Sequence, residues 1–102
     1  MKILIEAPFT VSESLERLVE EKVSKLNTFF ERIQTTTVFL KEEENRHNHS
    51  DPLGKTVEIR LQVPRQTLFA DASADSFERA LADATQKVGR QLRRYKQQLS
   101  RN

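Results

Sequence analysis

The residues in this sequence with chemistry to offer are cations, rather than nucleophiles or metal ligands. The stretch "KVGRQLRRYKQQLSR", residues 87–101, holds six positive charges and no negative one, and the last acid of the chain is Asp83. Over the whole chain the signs nearly balance: 17 Lys+Arg stand against 15 Asp+Glu in 102 residues. A surplus of +2 says little about partners, whereas a run of one sign is an electrostatic footprint. Drawn as a helix, the run puts Lys87, Arg90, Arg94 and Arg101 on one flank, with Arg93 and Lys96 around the other side of the solvent face. A helix C-terminus favours cations by roughly 0.3–1 kcal/mol each, which accounts for Arg94, Lys96 and Arg101. It does not account for Lys87 and Arg90, well inside the helix. Nor does it explain the missing i,i+4 acid–base pairs, which the earlier helical stretch supplies in Glu21 and Lys25. A polyanion is the partner that fits such a surface. Lys22 and Lys25 lie beside the apolar stripe of that earlier stretch. Taken singly they are lysines snorkelling over a core edge; side-by-side packing of the two helices would extend the C-terminal basic track through them.

Other chemistry is thin. His47 and His49 lie in "RHNHSD" near Glu43, Glu44 and Asp51, but no third fixed ligand accompanies them, so the segment reads as a polar loop without a metal. There are no cysteines, which excludes disulfides and thiolate metal sites. No Gly-rich phosphate loop, nucleophile elbow or HExxH is present, and two glycines are few for a nucleotide-cradling loop. The expectation is a protein that is not an enzyme and takes no cofactor and no small-molecule substrate. The apolar run in "MKILIEAPF" is too short for a signal peptide, and no stretch approaches a membrane span, so a cytoplasmic protein without a membrane partner is expected.

These cations need elements to position them. "KILIE" (2–6) alternates as a short strand ended by Pro8. "TVSESLERLVEEKVSKLNTFF" follows as a helix, with Thr10 and Glu13 at capping-box spacing and Ser12 as a competing N-cap. Its stripe is Leu15, Leu18, Val19, Val23, Leu26 and Phe30. "TTTVFLKEE" from Thr35 is rich in β-branched residues and reads as a strand, "NRHNHSDPLG" (45–54) as a loop. "KTVEIRLQV" (55–63) alternates Val57, Ile59, Leu61 and Val63 against Glu58, Arg60 and Gln62, and Pro64 ends it. "QTLFADAS" (66–73) turns Leu68, Ala70 and Ala72 inward; such small residues call for something bulky above them. The last helix starts near Asp75 or Ser76 with the stripe Phe77, Leu81, Ala84, Val88, Leu92, Tyr95 and Leu99. Gly89 interrupts it at a cost of about 1 kcal/mol relative to Ala. The order β-α-β-β-β-α predicts a single domain over 1–102: an α+β two-layer sandwich. A four-stranded mixed sheet would have a parallel first pair, an antiparallel meander, and two helices packed on one face. On the wet face, Phe69 near Arg60 offers a surface for stacking a base, but without an RNP-like aromatic pattern.

With these elements in this order the sequence resembles a known family, the ribosome hibernation factors: hibernation promoting factor and the ribosome-associated translation inhibitor, formerly called sigma-54 modulation proteins. The resemblance spans nearly the whole chain. It is carried by "EKVSKLNTFFERI" (21–33), "LFADASA" (68–74) and "KVGRQLRRYKQQL" (87–99). It implies binding to the 30S subunit and 70S ribosome, in the mRNA and tRNA channel against 16S rRNA, and inhibition of translation. Carried over by position, Lys22, Lys25, Lys87, Arg90, Arg94 and Lys96 would be the rRNA-binding residues. The sequence departs from the family at Ser76, Phe77 and Glu78, where Asp, Met or Leu, and Tyr are usual. Ending at Asn102, it resembles the short type, which pairs 70S ribosomes into 100S dimers with a partner. Two other readings are a module that homodimerises or docks a protein through its sheet face, and a basic helix on an acidic membrane. The second conflicts with the core's need for the same apolar stripe.

Overall fold

Alternation within the strands and the stripes on the helices sort the chain into two layers. The computed structural model describes residues 1–42 and 54–100. The loop residues His47, His49, Glu43, Glu44 and Asp51, and Arg101 at the end of the basic run, lie outside the described residues. The elements are β1 (Lys2–Glu6), α1 (Glu13–Phe29), β2 (Thr35–Glu42), β3 (Lys55–Val63), β4 (Gln66–Ala74) and α2 (Phe77–Ser100). The strands lie in the order β1-β2-β3-β4; β1 is parallel to β2, and the other pairs are antiparallel. This is the α+β arrangement expected.

Val38 and Leu40 of β2, the four apolar residues of β3, and Leu68, Ala70, Ala72 and Ala74 of β4 are buried on the helix side. Val19, Val23 and Leu26 of α1 and Leu81, Val88 and Leu92 of α2 meet them. The other sheet face is wet. The alanines of β4 let α2 lie close against that strand, with Ala80 and Ala84 among its own buried residues. The space above the alanines is thus filled by the helix itself.

Helix starts follow local capping chemistry. Ser12, not Thr10, is the N-cap of α1: its Oγ accepts from the Leu15 N–H at 3.2 Å, and the helix begins at Glu13. At α2 the Arg79 N–H donates to Ser76 Oγ at 3.2 Å. The two helices run parallel. Leu15 and Leu18 lie beside Phe77 at one end, Leu26 faces Gly89 midway, and Phe30 meets Tyr95 edge-on at 5.4 Å near the other. Tyr95 also donates its hydroxyl to the Pro64 carbonyl at 2.8 Å, fixing α2 to the turn between β3 and β4. Beyond that anchor α2 has no further buried residue. Leu99, expected in the core stripe, is 37% exposed.

Candidate nucleic-acid interface

Parallel packing of α1 and α2 opens a groove of about 360 Å3 along their outer seam. Lys22, Lys25, Leu26 and Phe29 line it from α1, and Ala82, Thr85, Gln86, Gly89 and Arg93 from α2. Three cations and no acid stand around it. None of the three forms an ion pair among the described residues, where the pairs are Glu13–Arg17, Glu42–Lys55, Glu58–Arg60 and Asp75–Arg79. The i,i+4 pair on α1 is thus Glu13–Arg17 at 3.9 Å, not Glu21–Lys25, which leaves the Lys25 charge uncommitted.

Lys96 joins this side of α2. Its Nζ donates to the Phe29 carbonyl at 3.0 Å and lies 4.5 Å from the centroid of the Phe29 ring. α1 has no basic residue in its own last turn. A lysine from α2 meets its exposed carbonyls instead, where the helix dipole favours a cation. Lys96 therefore has a structural task while its side chain stays exposed.

On the opposite flank α2 borders the edge of the sheet. Gln91 Nε2 donates to the Phe69 carbonyl at 2.5 Å, and the Phe69 N–H donates to Gln91 Oε1 at 3.2 Å. One side-chain amide thus bonds both backbone groups of an edge-strand residue, as a neighbouring strand would. Lys87 extends this closure, its Nζ donating to the Asp71 carbonyl at 3.1 Å. Arg94 lines a cleft on the same side with Gln66, Leu68, Gln91, Tyr95 and Gln98. Arg90 is exposed on the crest between the flanks.

The six expected rRNA-binding residues therefore do not form one track. Lys22 and Lys25 share the groove with Arg93, and Lys96 lies on the same flank at Phe29, whereas Lys87 and Arg94 face β4, with Arg90 between. The α1 lysines extend the flank opposite to the one that the sequence singled out. Arg93, outside the six expected residues, lines the groove as well. Its signal was its place one turn beyond Gly89, a position readable only once α1 is known to lie there.

The wet sheet face offers less to a base than its sequence suggests. The Arg60 guanidinium lies 5.0 Å from the Phe39 ring centroid and 5.9 Å from that of Phe69, and it also bonds Glu58 at 3.2 Å. Arg60 and Phe69 are cross-strand neighbours, so the cation already occupies the aromatic surface. Among the described residues, no group of three or more His, Cys, Asp or Glu could hold a metal ion, and no helix is long and apolar enough to cross a membrane.

Residues 7–100 match the family described as sigma 54 modulation protein / S30EA ribosomal protein, and the chain belongs to that family. A ribosomal subunit interface protein from Coxiella burnetii has a similar solved structure: TM-score 0.77, 23% identity, 94% of this chain and 98% of that one covered. The Protein Y N-terminal domain of Thermus thermophilus is also similar, with TM-score 0.74, 16% identity, and coverage of 93% and 99%. At such identities these likenesses speak for the shared fold. No curated protein matches the sequence.

Proposed function

We propose that this protein is a non-enzymatic ribosome-binding factor. It would bind the 30S subunit, lie against 16S rRNA in the channel used by mRNA and tRNA, and thereby inhibit translation. The observation that carries the reading is the convergence of Lys22, Lys25 and Arg93 from two helices on one groove without an acid. Lys96 and Arg90 stand beside it. Such a surface recruits phosphates by displacing their counterions. Membership of a family described as ribosomal, and a fold shared with a subunit interface protein, support the ribosome as the source of those phosphates.

Co-sedimentation with purified 30S and 70S particles at low and high salt tests it. The wild-type protein is expected to pellet with 30S at low salt and to be released at high salt. A Lys25→Glu/Arg90→Glu/Arg93→Glu variant, altered only at exposed positions, stays in the supernatant. Phe69→Asp on the wet sheet face leaves pelleting intact. Failure of the wild type to pellet at low salt, or loss of pelleting by Phe69→Asp alone, would reject the helical face as a ribosome-binding surface.

A further inference from the structure

The groove between α1 and α2 holds more than charge. Its floor is apolar, formed by buried Leu26, Phe29, which is 40% exposed, Ala82 and the bare backbone of Gly89. Lys22, Lys25, Arg93 and the Gln86 amide stand around that floor. The Lys96 ammonium lies 4.5 Å from the Phe29 ring centroid, and Phe29 nonetheless lines the groove and stays exposed, so the cation leaves part of this residue's surface open.

Gly89 is the informative residue. It lies inside a 24-residue helix, where glycine is less favourable than alanine. A Cβ built there would meet Leu26 Cδ2 at 3.8 Å, an ordinary van der Waals contact, and the residue has no positive φ. Helix packing and backbone conformation would therefore both admit an alanine here. What the missing side chain preserves is an open floor, the condition for close approach of a ligand to backbone. At about 360 Å3 the groove is the size of a small-ligand seat.

We propose that this groove seats one nucleotide whose base is unpaired. The base lies on Leu26, Phe29 and Gly89, and the phosphate sits among Lys22, Lys25 and Arg93. The inference deepens the ribosome-binding reading and rests on it for the RNA that supplies the nucleotide. A paired base is stacked inside its duplex and cannot reach the floor; a bulged or looped one can be splayed out. Gln86 offers both a donor and an acceptor to the base edge. The Thr85 hydroxyl is already spent on the Leu81 carbonyl at 2.6 Å. The shared chemistry is that of a nucleoside phosphate, whether it belongs to an RNA strand or is free.

The test titrates the full chain with a hairpin RNA carrying a single-nucleotide bulge, with its fully paired counterpart, and with AMP followed by amide NMR shifts. Wild type is expected to prefer the bulged hairpin by about tenfold, the scale of one stacked base. Gly89→Leu fills the floor while keeping every charge, so it binds both hairpins equally, at the wild-type affinity for the paired one. Arg93→Gln, at an exposed position, also lowers the preference, so the result does not hinge on the folding of the leucine variant. AMP binding at micromolar concentration, with shifts at Leu26, Phe29 and Gly89 and no bulge preference, assigns the seat to a free nucleotide. Equal affinity of the wild type for both hairpins, with no AMP shifts, overturns the proposal. So does a bulge preference that survives in Gly89→Leu. Failure of the ribosome reading shows separately, as absence of co-sedimentation with 30S, and leaves the hairpin comparison standing.

Discussion

The division of α2 into two flanks makes the salt dependence of binding a test of which face meets RNA. Lys22, Lys25, Arg93 and Lys96 gather on the α1 side, Arg90 stands on the crest, and Lys87 and Arg94 lie toward β4. Contact through the α1 side and the crest engages five cations. With roughly 0.7–0.9 counterions released per phosphate contact, log K then falls against log salt with a slope of about −3.5 to −4.5. Between about 50 and 200 mM salt, that slope is a loss of about 100- to 500-fold in affinity. RNA wrapping both flanks would engage seven cations, for a slope of about −5 to −6. The assay is equilibrium binding of fluorescently labelled protein to 30S subunits across that salt range. Lys25→Gln/Arg93→Gln should flatten the slope by about 1.4–1.8, the share of the two phosphate contacts removed. Lys87→Gln/Arg94→Gln should leave it nearly unchanged. The reverse pattern, with the β4-side pair carrying the slope and the groove pair silent, would refute the assignment of the interface.

Three further outcomes follow from single contacts. Gln91→Ala frees the N–H and C=O of Phe69 at the β4 edge, costing about 1–3 kcal/mol for two hydrogen bonds and exposing a pairing template. Urea denaturation should show the loss, and analytical ultracentrifugation should show concentration-dependent self-association absent from the wild type. Tyr95→Phe removes the hydroxyl bond to Pro64 but keeps the edge-on contact with Phe30, so stability should fall by about 1 kcal/mol with the denaturant m-value unchanged. Arg65, in the two-residue turn between β3 and β4, has φ 72°, a left-handed conformation costing a non-glycine residue about 1–2 kcal/mol. Arg65→Gly should relieve that strain, less about 0.5–1 kcal/mol of glycine entropy, and thermal unfolding should show a small rise in Tm.

Why α1 starts where it does illustrates how local rules compete. Thr10 and Ser12 both have N-cap chemistry, and their spacing alone left the choice between them open. Ser12 is taken because its Oγ reaches the Leu15 N–H while the helix begins at Glu13. The stripe on α2 was similarly legible as far as Tyr95. Leu99 continues the same period, but burial on α2 ends at Tyr95, and periodicity carries no information about where a partner ends.

Strand and helix periods are properties of neighbouring residues. The alternation of β3, the stripes of both helices and the one-signed charge of residues 87–101 could therefore be read along the chain, and with them the α+β layering. Which cations act together is a different kind of fact. Lys25 and Arg93 share a groove, and Lys96 reaches the Phe29 carbonyl across 67 residues, because α1 and α2 pack parallel with a particular rotation. Lys87 is drawn instead to the Asp71 carbonyl, because the alanines of β4 let α2 come close to that strand. Those rotations and approaches are decided by how side chains fill the space between elements, so they exist only in the folded protein. Gly89 joins the two levels: along the chain it is a weak point in a helix, and in three dimensions it is the open floor of a cationic groove.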